Sequence, residues 1–322
     1  MNINNIIKLC FLSSMFITAN VAAQQAVNQS LDADPTGVVR IEHVAGEANI
    51  IGWDSAQVKV EGELGEDTEE FIFKRDGDSI DIIVEVKSKS GWGGWGNGDV
   101  ADDNLTIYVP KASLVRYESV NARVSISDVL GGADLEVVNG GIVAKNLAGK
   151  VTLESVNGNI TLNNMNGELE VESVNGSIDI EAVSGSEIQA SAVNGNISIV
   201  SSVNELQAET VNGDIELTLQ EVKSIATETV NGSIEMAMRL APSAEVTASS
   251  VGGNITLRLP ADVSAKFEIE SFAGGSIRNS LTDDKPQKAE YGPRRWLDMS
   301  TANPSASVEI DTVNGSIRLL KQ

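Results

Sequence analysis

Val156-Asn157-Gly158-Asn159-Ile160 is the stretch whose reading decides the fold. The phrase returns as Val174-Asn175-Gly176-Ser177-Ile178, Val193-Asn194-Gly195-Asn196-Ile197, Val211-Asn212-Gly213-Asp214-Ile215, Val230-Asn231-Gly232-Ser233-Ile234 and Val313-Asn314-Gly315-Ser316-Ile317. Asn121, Asn139, Asn157 and Asn175 stand 18 residues apart, and Asn194, Asn212 and Asn231 continue at steps of 19, 18 and 19. Gly252 and Ala273 fill the slot after steps of 21, and Asn314 follows after 41, which leaves room for an insertion. Half-period echoes fall at Asn166-Gly167, Ser184-Gly185 and Asn204. Self-similarity at this period marks a solenoid, in which each unit buries its apolar face on its neighbours.

Alternation within one repeat assigns the faces. Val151, Leu153 and Ser155 share a parity and point inward; Ile160 and Leu162 point inward again after the turn. Glu154 has the opposite parity and points out. Asn157-Gly158 reads as the turn, since both residue types tolerate positive φ. A single Asn-Gly between strands would suggest a hairpin. Here one register recurs over many copies, which favours parallel stacking with Asn157 between Asn139 and Asn175. The expected fold is all-β, a parallel β-solenoid (β-helix) with about 18–19 residues per repeat.

Working outward, residues 1–23 read as a secretory signal: Lys8 as a sparse positive region, Leu9 to Thr18 as an apolar run, Val21-Ala22-Ala23 as a small-residue exit. The run falls short of the roughly 20 residues that span a bilayer. Cys10 is the one cysteine and would leave with the signal, so the mature chain carries no disulfide and no thiol nucleophile. Leu9 before it speaks against a lipoprotein. Residues 24–35 form a polar leader. Residues 36–110 are irregular N-terminal β coils, with Val44 to Ile50 a degraded copy of the phrase and a Gly/Trp-rich loop at 88–104. Residues 111–279 are the regular solenoid, 280–303 an insertion and 304–322 a terminal coil. The formal net charge of −23 argues against nucleic acid and anionic headgroups as direct partners.

The candidate functional positions lie around the phrase. The slot three residues before the turn asparagine holds Glu118, Glu136, Glu154, Glu172, Glu209 and Glu228, then Glu270 and Asp311, with Ser191 and Ser249 as exceptions. With one repeat per coil these form an outward acidic ladder spaced by about 4.8 Å, which serves as a solvated edge or a stripe for cations or a basic partner. The asparagine column reads as a ladder of side-chain amides. In the 88–104 loop, Asp99, Asp102 and Asp103 are the candidate oxygen donors for one calcium ion, and Trp92 and Trp95 are candidate contacts for a glycan or protein. Tyr291, Arg294, Arg295 and Trp296 form a basic-aromatic cluster that either packs on the acidic coils or docks an anionic partner. His43 is the one histidine and has no serine constellation beside it in the sequence, which speaks against a His-based triad.

The run Asn104-Leu105-Thr106-Ile107-Tyr108-Val109-Pro110, the Val-Asn-Gly-x-Ile units and the closing phrase Val313 to Leu319 resemble a bacterial family. It is the putative-adhesin, β-strand-repeat family of unknown function, similar to the GIN head domain of autotransporter adhesins. The resemblance spans nearly all of the mature chain. It implies an exported, envelope-facing β-helical protein and brings no catalytic residues. The expected function is that of a non-catalytic, adhesin-like interaction or structural module, periplasmic or at the cell surface, whose partner is an envelope protein or glycan. The alternatives are a polysaccharide-acting β-helix enzyme and a calcium-dependent binding module. An enzyme would carry clustered carboxylates that break the repeat.

Overall fold

In the computed structural model, residues 25–86 and 103–322 are described. Those residues form 22 strands and no helix. The alternation of Val, Ile and Leu with polar residues is the reason: every second side chain goes to one interior. The burial pattern of Ile160–Asn175 follows it, with Ile160, Leu162, Leu169 and Val171 buried and Thr161, Asn163 and Glu172 outside the core. Val151, Leu153, Ser155, Ile160 and Leu162 are all buried, as their parity requires.

The repeat is solenoid-like. All strands belong to one continuous 22-stranded sheet; each coil contributes two arms to it, and successive coils pair in parallel, so the arms stack as a first and a second sheet layer. Residues 160–175 lie in register on 142–157 below and 178–194 above, so that Asn157, Asn175 and Asn194 superpose. The first sheet runs through residues 38–43, 114–119, 133–139, 151–157, 169–175, 188–194, 205–212, 224–231 and 245–250. The second runs through 46–51, 122–127, 142–145, 160–163, 178–181, 197–201, 215–218 and 234–237.

The two corners of a coil are built differently. At the Asn-Gly corner neither Asn157 nor Gly158 has a left-handed φ, and the same holds for Gly176, Gly195, Gly213 and Gly232. The expected positive-φ turn is therefore absent from these corners, and Gly140 at φ 150° is the exception in the column. Glycine is needed there for close approach: a Cβ on Gly158 would lie 1.9 Å from the carbonyl oxygen of Gly140, and one on Gly176 2.0 Å from that of Gly158. The inward serine or threonine two residues before the asparagine donates to that same carbonyl, as in Ser155 Oγ to Gly140 O at 3.2 Å and Thr229 Oγ1 to Gly213 O at 3.1 Å. The asparagines form the expected ladder, each Nδ2 donating to the Oδ1 one coil earlier, 2.8 Å for Asn157 to Asn139 and 2.9 Å for Asn175 to Asn157. The left-handed corner is the opposite one. Asp128, Asn146, Asn164 and Ala182 sit there at φ of 53–61°, and Asn164 donates to Asn146 at 2.8 Å. A short amide that bonds locally is what a non-glycine left-handed position favours.

Order along the stack departs from order along the chain at both ends. Ala306–Thr312 was expected to belong to the closing coil. It lies instead between 245–250 and Ala265–Ser271, bonded in parallel to both. Ile317–Lys321 is likewise held between Ile255–Leu259 and Ile277–Asn279. The insertion carries the chain back across the outermost coil and allows this. At the other end, Val38–Trp53 lies between residues 114–127 and the strands Ser79–Val86 and Asp103–Pro110. Antiparallel strands then cover outer edges: Gln57–Leu64 on Asp103–Pro110, Thr68–Asp76 on Ser79–Val86, and Arg295–Ser300 on Ala265–Ser271. Covered edges withhold backbone groups from other chains.

Candidate functional site

The outward side of the first sheet carries a groove of about 690 Å³. It runs along the stack, across the coils, from Ile83–Val86 and 42–44 to Val193, and is lined by the residues just before each turn asparagine. It crosses seven strands, a length of roughly 29 Å at the usual strand spacing.

Two rows define its walls. Strand register aligns Glu42, Glu118, Glu136, Glu154 and Glu172 in one column. The column continues through Ser191 to Glu209 and Glu228, then through Ser249 to Asp311 and Glu270. The acidic ladder read from the sequence is thus one geometric row. The second row is the valine that opens every copy of the phrase. Val120, Val138, Val156, Val174 and Val193 are each 40–45% exposed, although apolar. Val156 shares parity with Glu154, so both leave the core on the same side. That signal lies in the sequence, two residues after each glutamate slot.

Crowded carboxylates alter one another. Burial raises the Glu154 carboxyl above the ordinary glutamate value, and the charges of Glu136 and Glu172, one coil away on each side, raise it further. Asp311 is raised in the same way, by burial first and then by Glu309, against an opposing hydrogen bond from Ser249. A smaller cavity of about 240 Å³ on the same face is lined in part by Glu209, Glu228, Glu309 and Asp311.

At the C-terminal end the basic-aromatic cluster meets this column. Arg294 Nη2 donates to Glu270 Oε1 at 2.5 Å, and its guanidinium stands 5.4 Å from the ring centre of Trp296. Trp296 is itself paired across the backbone with Glu270. Arg295 Nε is buried without a partner, and Tyr291 is 86% exposed. Arg294 and Trp296 therefore act together on the acidic row, and Tyr291 stands apart in solvent.

One polar cluster breaks the repeat. His43 lies between Asp103 and Tyr117, with Nε2 3.2 Å from Asp103 Oδ2 and Nδ1 3.1 Å from the Tyr117 hydroxyl. Asp103 Oδ1 accepts from the Gly65 amide at 2.6 Å and from Thr68 Oγ1 at 3.0 Å. All three side chains are buried, and burial pushes the Tyr117 hydroxyl far up. The carboxylate that the sequence offered as a calcium donor is thus surrounded by protein donors, and the one histidine has a carboxylate and a phenol as partners. His43 is among the residues lining the groove, with its side chain fully buried, and the cluster ties Val38–Trp53 to Asp103–Pro110 and to residues 114–127. Ser119, paired across the backbone with His43, also lines the groove, and its hydroxyl lowers the Tyr117 value against the larger effect of burial. Asp99, Asp102, Trp92, Trp95 and the N-terminal signal lie outside the described residues. Among the described residues no group of three or more His, Cys, Asp or Glu is arranged to hold a metal, and no helix is long and apolar enough to cross a membrane.

A family model matches residues 40–320, from the first inner coil to the last strand. The chain belongs to the Toastrack DUF4097 family. No curated protein matches this Toastrack sequence. Among solved structures it is similar to a "putative lipid binding protein" from Parabacteroides distasonis, at 12% identity and a TM-score of 0.44, covering 91% of this chain and 96% of that one. It is similar to a "putative adhesin" from the same organism, at 13% identity and a TM-score of 0.39, covering 93% and 98%. A "putative adhesin" from Bacteroides fragilis follows at 9% identity and a TM-score of 0.37, covering 93% and 99%.

Proposed function

We propose that this Toastrack chain is an exported, non-catalytic β-solenoid that acts as an adhesin-like interaction module of the cell envelope, with the axial groove as its contact surface. One observation carries the reading: the groove joins a row of carboxylates to a row of exposed valines over several coils. A merely solvated face has no use for an uninterrupted apolar row, and contiguous exposed apolar surface marks interaction sites. The N-terminal signal pattern supports export. Of the six groove carboxylates, Glu42, Glu118, Glu136, Glu154 and Glu172 are members of the repeating column and Glu85 alone stands outside it, which weighs against the clustered, repeat-breaking pair that the polysaccharide-acting alternative needs. The test is fractionation of cells carrying a tagged chain with a photo-cross-linker at Val156, followed by pull-down. Recovery of an envelope component through that position is expected. A cytoplasmic chain, or one that captures nothing from the envelope, overturns the reading.

A further inference from the structure

We infer that the groove receives a basic amphipathic α-helix from a partner protein; this rests on the groove being the contact surface. Charge chooses the sign. Glu42, Glu118, Glu136, Glu154 and Glu172 follow one another without an intervening cation in the lining of the groove. Where the same column does meet a cation within the chain, the group is Arg294, bonded to Glu270 and leaning on Trp296. The protein thus displays at one end the contact that the rest of the row is built to accept: a basic side chain with an apolar neighbour.

Shape chooses the helix. The acidic and apolar positions lie two residues apart along each strand, so the rows run side by side at roughly 7 Å. An added β-strand is not accommodated on this face. The backbone groups of the coils are bonded to neighbouring coils, and outer edges are covered by antiparallel strands. Side chains are what the face offers, and a helix is read through side-chain rows. A helix of about 20 residues spans about 30 Å, which matches the groove. Its residues at i and i+4 recur every 5–6 Å or so, close to the coil spacing, and lysine or arginine stems take up the difference. An apolar row on such a helix covers Val120 to Val193 while the adjoining basic row meets the glutamates.

The experiment titrates the mature chain with a synthetic helical peptide of Leu, Ala and Lys, about 20 residues long, carrying Leu in one row and Lys in the next. The same peptide with Glu in place of Lys, calcium chloride alone and anionic vesicles alone are the comparisons. Binding of the lysine peptide and not of the glutamate peptide is expected. The pair Glu136→Lys and Glu154→Lys, and separately Val138→Asp, should each weaken it by roughly tenfold or more. Thr161→Lys, on the outward side of the other sheet, should leave it unchanged. Val138 is 41% exposed, so its variant retains the core, which circular dichroism checks. Equal binding of both peptides, or unchanged affinity in both groove variants, overturns the inference. So does binding of calcium or vesicles with no response to the lysine peptide. If the Val156 cross-linker still recovers an envelope component while the lysine peptide does not bind, the helix is wrong and the contact surface stands.

Discussion

Replacing Glu154 by glutamine should stabilise the protein. Glu154 has Glu136 and Glu172 as column neighbours, one coil away on either side. At about 4.8 Å two unit charges repel by roughly 0.9 kcal/mol in water. Two neighbours give about 1.7 kcal/mol, and screening with a Debye length of about 8 Å at physiological salt reduces this to about 1 kcal/mol. Glutamine keeps the size and polarity and removes the charge. The melting temperature at neutral pH should rise by about 2–4 °C, read by calorimetry on wild type and variant together. The pH dependence tests the charge, and the salt dependence tests the repulsion. The folded carboxyl is raised above its ordinary value, by burial first and by the charges of Glu136 and Glu172 next, so the folded state binds a proton more tightly than the unfolded chain does. The penalty is present in full above the raised value and fades as pH falls through it. Wild type should therefore approach the variant as pH drops from neutral into the carboxylate range, and high salt at neutral pH should close the same gap. Glu168, bonded to Lys150 at 2.7 Å, is the contrast: its glutamine variant should show no gain in melting temperature, because its neighbour is a cation. A Glu154→Gln protein that melts at or below the wild-type temperature at low salt would refute the reasoning, because the row would then not be under mutual repulsion.

Asn157→Ala removes two ladder bonds, to Asn139 and from Asn175, and should lower stability by about 1–2 kcal/mol in urea unfolding; an unchanged midpoint would mean that solvent replaces the ladder freely. Gly195→Ala places a Cβ 2.0 Å from the Gly176 carbonyl oxygen and should cost about 1–3 kcal/mol; a neutral result would show that the coils separate with ease. Asp103→Ala deprives His43, the Gly65 amide and Thr68 of their acceptor, with a loss of about 3–5 kcal/mol. Hydrogen exchange should then rise first in Val38–Trp53 and Asp103–Pro110, and uniform exchange across the stack would contradict the local role given to the cluster.

Most of the regular stack was legible because its physics is periodic. Inward Val151 and Leu153, the asparagine ladder and the glutamate row each recur at one spacing, so a single repeat predicts the others. The turn was misread because Asn-Gly is associated with positive φ. The pressure on Gly158 comes instead from the carbonyl of the coil below, a contact with a residue 18 positions away. The left-handed corner at Asn146 and Asn164 was nearly visible in the half-period echo at Asn166-Gly167. Val120 and its equivalents were legible by parity alone. The His43, Asp103 and Tyr117 cluster was not, since its members are 60 and 74 residues apart and none repeats. The placement of Ala306–Thr312 inside the stack was equally hidden: a phrase that fits every coil edge cannot say which edge it takes.

That inserted strand has a mechanical consequence. A load arriving along the chain at Lys321 acts on a segment bonded along both sides, to Ile255–Leu259 and, through Ile277–Asn279, to the outermost coil. Residues of Ala306–Thr312 behind it are gripped in the same fashion. An outermost strand would unzip one bond at a time under such a pull. A strand between two neighbours resists in shear, with two rows of bonds strained together. At the other end the load first peels Gln25–Asp32 from Gln57–Leu64 and then reaches Val38–Trp53, which is again held on two sides. The molecule is thus anchored one layer in from each end, so both terminal segments meet a pull in shear before any inner coil is loaded.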